Sequence, residues 1–184
     1  MGGNLKNYVD KQDSQDDDVY ARGKDTIITN SEIEQAKDFY IISGLGEEEA
    51  TTKSIEYVTE REALYQAAIQ NGYSVTDEEV LAYLEELKEI INEADNKEDA
   101  MEVISQFDSE QDYWDYEFSV YQKDLPIQNY VADLEKEYMQ ASANSNSIAS
   151  DSSDASEIEE NWQASYEELK KELVADEEFE IINE

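Results

Sequence analysis

Apolar positions recur every three or four residues along most of this chain, the spacing that places them on one face of an α-helix. This pattern predicts helices at about 29–43, 49–71, 76–91, 96–106, 108–140 and 156–175. Two short stretches have no helical spacing: residues 19–29 and 179–182 are rich in the β-branched and aromatic residues that favour strands. We therefore predict a mostly α fold with a minor β element near the termini.

The segment NGYSVTDEEV, residues 71–80, ends one helix and begins the next. The Thr76 hydroxyl can accept a hydrogen bond from the backbone N–H of Glu79, whose side chain reaches back to Thr76 as a capping box. A hydrophobic staple flanks the box, formed by Val75 and Val80. An earlier helix start has the same box, at Thr29 and Glu32. A cap contributes only about 1 kcal/mol, but the staple fixes the angle between the two helices.

The longest predicted helix begins after Asp108, a good N-cap residue, and continues to about residue 140. Pro126 lies inside it. A proline lacks the backbone N–H and clashes with the preceding turn, so we predict a kink or break near Asp124.

The composition divides the chain into four segments. Residues 1–18 are predicted to be a disordered acidic leader, since they are polar and have no apolar periodicity. Residues 19–140 form the main helical module, and the Ser/Ala/Asn-rich residues 141–155 a flexible linker. Residues 156–184 supply a helix and a short strand that complete the module. The apolar stripe of this helix needs a partner, so we expect it to pack back, with the strand pairing to residues 19–28.

The charge of the chain excludes two classes of direct partner. It has 48 Asp and Glu against 13 Lys and Arg, a formal net charge of -35. Such a surface repels nucleic-acid backbones and anionic lipid headgroups, so we expect no nucleic acid and no membrane contact apart from a lipid anchor. The charge itself is consistent with a solvated surface, with cation binding, or with mimicry of a polyanion.

The residue types that are absent argue against an enzyme. The chain has no Cys and no His, which removes the cysteine nucleophile, the commonest general base and the commonest transition-metal ligands. We therefore predict no catalytic residue and no cofactor. An acidic run in the leader lacks the spacing and the glycine of a calcium-binding loop, so we interpret it as a tether rather than a metal site. The run consists of Asp10, Asp13, Asp16, Asp17 and Asp18.

A run of aromatic residues in the long helix is the best candidate for a binding site. Five rings within nine residues cover more than one helix face, so they do not all fit into one core seam. Large rings with polar tips suit adaptable binding of unfolded segments. The candidate peptide-binding residues are Tyr113, Trp114, Tyr116, Phe118 and Tyr121.

Residues 23–32, GKDTIITNSE, form a predicted strand, turn and helix start, and residues 70–80, QNGYSVTDEEV, a corner between helices. Both segments are similar to the corresponding parts of the SurA-N-like family, the N-terminal module of SurA/PrsA-type extracytoplasmic foldases. Residues 113–130 resemble the long helix that closes that module, so the likeness covers about residues 19–140. The chain departs from the family pattern at Arg22, which replaces the usual Asn before the glycine, and at Arg61 and Glu62, which replace amides or apolar residues.

The resemblance implies chaperone-type binding without isomerase activity. Relatives with a parvulin-type prolyl isomerase carry it between the module and the returning C-terminal helix, where this chain has only the segment 141–155. The parvulin site is also built around histidines, which this chain lacks. We expect a holding chaperone for unfolded or exported polypeptides, located outside the cytoplasmic membrane as a lipoprotein with its signal segment removed or as a secreted protein. The alternatives are an adhesion-type module for one dedicated partner and a polyanion mimic.

Overall fold

The computed structural model describes residues 18–145 and 154–182, and within them it is mostly helical. The leader up to residue 17 and positions 146–153 of the predicted linker lie outside the described residues. The elements in chain order are β1 (Val19–Arg22), β2 (Ile27–Thr29), α1 (Asn30–Ile42), α2 (Glu47–Gln70), α3 (Asp77–Glu93), α4 (Lys97–Ile104), α5 (Glu110–Ser145), α6 (Asp154–Glu177) and β3 (Glu180–Ile181). The predicted mostly α fold with a minor β element is confirmed.

The C-terminal segment returns to the N-terminal hairpin, as the sequence predicts. The three strands form an antiparallel sheet in the order β2-β1-β3, with Ala21 paired to Ile181. Gly23 in the β1–β2 turn allows a close approach, because a Cβ there would lie 2.6 Å from Glu177 Oε2. The next backbone N–H, that of Lys24, donates to the Glu177 carboxylate at 3.0 Å. The two ends of the described chain are thus tied together at this turn.

Both predicted capping boxes are present. Thr29 accepts a hydrogen bond from the N–H of Glu32, and Thr76 from that of Glu79, each with the reciprocal bond in place. The start of α5 differs from the prediction by one residue. Ser109 rather than Asp108 accepts the hydrogen bond of a first-turn N–H, at 3.1 Å.

The proline in the long helix does not break it. α5 is continuous from Glu110 to Ser145 with Pro126 inside, and the ring is buried. The helix therefore also includes residues 141–145, which the sequence assigned to the linker.

The helices are arranged around α2 and α5. α1 packs along α2, α6 packs on α2 and α5, and α3 packs on α5, with the short α4 beside it. Buried side chains form three clusters, one at the sheet with α1 and α2, one between α3 and α5, and one where α2, α5 and α6 meet. The returning helix α6 has the predicted partner, and Trp162 on its stripe is buried.

Charged side chains cross the interface between α2 and α5. Glu62, which is 1% exposed, pairs with Lys123 and accepts a hydrogen bond from the Thr26 hydroxyl at 2.7 Å. The neighbouring Arg61 donates to Asp124 at 2.7 Å. Arg61 and Glu62 are thus each paired with a residue of opposite charge on α5.

Candidate functional site

The structure distributes the five predicted aromatic residues over two faces of α5. Trp114, Phe118 and Tyr121 turn towards α3 and pack with its apolar stripe. Trp114 is 7% exposed, its Nε1 donates to Glu110 at 3.2 Å, and Lys88 Nζ lies 4.9 Å from its ring centroid. These three residues hold α3 in place, and Trp114 in particular is part of the core.

Tyr113 and Tyr116 lie at the N-terminal end of α5 beside Phe107. Their ring centroids are 5.3 and 5.5 Å from the Phe107 centroid. Tyr116 also interacts with Tyr57 of α2 and lies beside the amide of Gln35 in α1. Tyr116 is therefore directed towards the α1–α2 pair, whereas Trp114, Phe118 and Tyr121 are directed towards α3.

A strip of the α5 surface lies between the contacts that this helix makes with α2 and with α3. α2 and α3 each pack on α5 but make no extensive contact with each other. Helical geometry places the strip residues on one face, at spacings of three or four. All of them are half-buried: Tyr113, Glu117, Val120 and Asp124. Together with the neighbouring side chains they form what we call the tyrosine patch, defined by Gln35, Tyr57, Arg61, Tyr113, Tyr116, Glu117 and Asp124.

Burial and nearby carboxylates set the electrostatics of the patch. Burial, with the charge of Glu117 next in weight, raises the pKa of both Tyr113 and Tyr116 to about 12. Both hydroxyls therefore stay protonated at neutral pH, and that of Tyr113 donates a hydrogen bond to Glu117. Burial also raises the pKa of Glu117, and the charge of Asp124 raises it further.

The patch continues into exposed apolar side chains at the end of α1. Phe39 is 68% and Ile42 is 71% exposed, and Tyr57 is 46% exposed. The Phe39 ring lies 6.0 Å from that of Tyr40, which interacts with Tyr57. Exposed apolar side chains of α1 and the exposed ring of Tyr57 thus adjoin the patch, and exposed apolar area of this kind marks interaction surfaces.

One polar group of the patch, the amide of Gln35, is turned into the protein. Its Nε2 atom is buried and makes no hydrogen bond of ordinary geometry within the described residues, although the Tyr116 hydroxyl lies close to the amide. A buried donor without an acceptor costs about 1–3 kcal/mol. This atom is therefore not part of the accessible surface of the patch.

Within the described residues no group of acidic side chains is arranged to hold a metal ion. Of the acidic run in the leader, Asp18 is described, and its carboxylate accepts a hydrogen bond from the backbone N–H of Ser31 at 3.3 Å. The other four aspartates lie outside the described residues. Nor do the described helices include one that is both long and apolar enough to cross a membrane.

Sequence reasoning proposed Tyr113 and Tyr116 of the patch, but it did not single out Glu117 and Asp124 of α5 or the part supplied by α1 and α2. Tyr57 lies beside the buried Val58 and carries no signal of its own, and Gln35 is one of several amides in the chain. Glu117 is one acidic residue among 48. The only available signal was Arg61 next to Glu62, a charged pair in the middle of a helix that is otherwise rich in alanine at its inner face.

Comparisons of the chain with models of protein families, with curated proteins and with solved structures give no match.

Proposed function

We propose that this protein is a holding chaperone that binds unfolded or partly folded exported polypeptides outside the cytoplasmic membrane, without prolyl isomerase activity. The observation that carries the proposal is the exposed apolar area of Phe39, Ile42 and Tyr57, of which Tyr57 belongs to the tyrosine patch. Such a surface suits an extended chain, because Phe39 and Ile42 offer apolar area and the tyrosines add a polar tip to theirs. The resemblance to the SurA-N-like module supports the same function, and the lack of any His argues against an isomerase site in this chain.

Suppression of aggregation tests the proposal. A chemically unfolded client is diluted into buffer with a near-stoichiometric amount of the protein, and light scattering is followed. We expect the wild type to suppress scattering and the double variant Phe39→Ser, Tyr57→Ser to lose most of this effect. Both side chains are largely exposed, so the variant should fold, which circular dichroism checks. A second double variant, Leu81→Ser and Ile90→Ser, removes exposed apolar area from α3 and should behave as wild type.

The alternative function is an interaction module for one dedicated protein partner. A second group of exposed apolar side chains favours it, located on α3 and α4: Leu81, Ile90, Met101 and Val103. If neither the wild type nor the variants suppress aggregation, while a single partner binds at fixed stoichiometry and is lost in the Leu81→Ser, Ile90→Ser variant, the holding function is wrong and the dedicated-partner function is supported.

A further inference from the structure

Glu117 is an acidic group inside the tyrosine patch that has no cationic partner. Within the described part of the chain no Lys or Arg forms an ion pair with it. Arg61, the basic residue of the patch, makes its recorded hydrogen bonds to other groups. Its Nε donates to Asp124 at 2.7 Å, and a terminal guanidinium nitrogen donates to the Val120 carbonyl at 3.1 Å. The Glu117 carboxylate is thus left without a neutralising charge.

This arrangement is unfavourable for the protein by itself. Partial removal from water penalises the charged form of a carboxylate, and the nearby Asp124 adds like-charge repulsion. The Tyr113 hydroxyl offsets these effects only in part, since the pKa of Glu117 remains raised. A cation brought by another molecule would relieve both effects at once.

The surroundings of Glu117 favour a cation that carries a hydrocarbon stem. Tyr113 lies one turn before Glu117 on the same face of α5 and donates a hydrogen bond to its carboxylate. Tyr116 precedes Glu117 in the sequence, and its hydroxyl lies close enough to interact with the same carboxylate. Lys and Arg side chains place their methylene groups along such rings while the charged end reaches the carboxylate. The net charge of -35 also attracts cationic segments during the approach.

We propose that the tyrosine patch selects unfolded segments in which a Lys or Arg is flanked by an aromatic or aliphatic residue, and that Glu117 is the specificity-determining residue. This inference rests on the function proposed above and names the class of segment that the patch holds. It commits to a polypeptide partner of basic and apolar character, rather than to any cationic molecule.

Two labelled peptides test the inference in the full chain. The first is a fluorescein-labelled octapeptide with one Lys between Leu and Phe in a Gly/Ser background, and the second carries acetyl-lysine at the same position. Their dissociation constants are measured by fluorescence anisotropy at about 0.15 M salt, where exposed charges beyond about 8 Å are largely screened. We expect the wild type to bind the Lys peptide about five- to tenfold more tightly than the acetyl-lysine peptide. This factor lies between those typical of an exposed and of a buried charge pair.

Two matched variants separate Glu117 from the general charge of the surface. Glu117→Gln should bind both peptides with the affinity that the wild type has for the acetylated one. Asp115→Asn removes the same charge from an exposed position of the same helix and should keep the wild-type preference. A preference that survives Glu117→Gln, or that disappears in Asp115→Asn, would show that the overall negative field selects the peptide, and the inference would be wrong.

The remaining outcomes distinguish the inference from the function on which it rests. Equal binding of both peptides by the wild type would contradict the preference while leaving the holding function in place. No binding of either peptide, together with no suppression of aggregation, would contradict both. If the patch is instead covered by a second copy of the chain, analytical ultracentrifugation will show a dimer that the Lys peptide does not dissociate, which also overturns the inference.

Discussion

The two sides of α5 hold their partner helices by different means. Towards α2 the contact contains two ion pairs, in which Arg61 and Glu62 meet their opposite charges on α5, and small alanine side chains. Towards α3 it contains rings and branched aliphatic side chains, centred on Trp114 and Leu84. The tyrosine patch lies between these two interfaces, so each interface forms one border of the candidate site.

The difference indicates how each border is positioned. Ion pairs with hydrogen bonds depend on direction and distance, and a half-broken buried pair is costly, so the α2 side has one favourable register. Apolar contacts are non-directional and tolerate changes of shape at a smaller cost in stability. The position of α3 is therefore set mainly by the volume of the side chains packed against it. Substitutions on the two sides should therefore differ in size, in the way they are rescued and in their dependence on pH.

The largest effect is expected for Trp114→Ala on the α3 side. Removing a buried ring of this size leaves a cavity among Val80, Leu84 and Leu125, and such changes cost about 3–5 kcal/mol of the free energy of unfolding. Urea denaturation followed by circular dichroism measures it. Trp114→Phe should lose less than half of the free energy of unfolding that Trp114→Ala loses, because the volume of the side chain rather than a directed bond matters here. A loss below about 1 kcal/mol for Trp114→Ala would mean that α3 is not anchored by this ring.

On the α2 side, Glu62→Ala should lower the free energy of unfolding by about 3 kcal/mol. It leaves Lys123 with only its second partner, Glu32, at 3.1 Å, and it removes the acceptor of the Thr26 hydroxyl. The double variant Glu62→Leu, Lys123→Met should recover part of the loss, because an apolar pair of similar volume replaces a buried ion pair at little cost. The recovery is incomplete because Glu32 loses Lys123 and the Thr26 hydroxyl still lacks its acceptor. The same urea titration compares the two. Equal destabilisation by the single and the double variant would contradict the role of the ion pair.

The sequence predicted the helices of this fold well, because their start signals are local. Thr29 and Thr76 carry complete capping boxes, and the spacing of apolar residues then sets the face of each helix. The return of the C-terminal strand to β1 also followed from a short β-prone segment without another partner. The misplaced cap at Asp108 shows the limit of such signals, since Ser109 next to it is an equally good N-cap residue.

The candidate site was less accessible to sequence reasoning, because it depends on distant contacts. A glutamate in a helix is expected at the surface, so the burial of Glu62 follows only from Lys123, which is 61 residues away. Likewise, the rings of α5 were visible as a run, but their division between two faces depends on which helix packs on which side. Tyr57 and Gln35 join the patch only through the α1–α2 arrangement.

A smaller effect is expected at the corner that begins α3. Thr76→Ala removes the hydroxyl that accepts the Glu79 N–H at 3.2 Å and should cost about 1 kcal/mol. Because only the first turn of α3 loses its cap, hydrogen exchange should accelerate there and not in α2. Thr52→Ala is the matched control, since its exposed hydroxyl bonds only to the Glu48 carbonyl within α2. Equal losses in the two variants would show that the box contributes nothing beyond local helix propensity.

The smallest effects on the free energy of unfolding are expected for the charges of two glutamates, Glu32 and Glu117, and these effects have opposite signs. Burial opposes ionisation of Glu32, but Lys123 and the hydrogen bonds at Thr29 outweigh it and lower its pKa, whereas the pKa of the unpaired Glu117 is raised. The charge of Glu32 therefore stabilises the fold above the ordinary pKa of 4.5, and this contribution is lost as the pH falls through the lowered value.

The charge of Glu117 has the opposite linkage. At neutral pH its burial penalises the native state, and the penalty disappears as the pH falls below 4.5, where the carboxyl is protonated in both states. Glu117→Gln should therefore gain stability at pH 7 and Glu32→Gln should lose it, with both differences fading towards pH 3 in urea titrations. A loss at pH 7 in Glu117→Gln would mean that Glu117 already has a stabilising partner in the free protein. The gain that we expect is instead typical of a group placed for binding at the expense of stability.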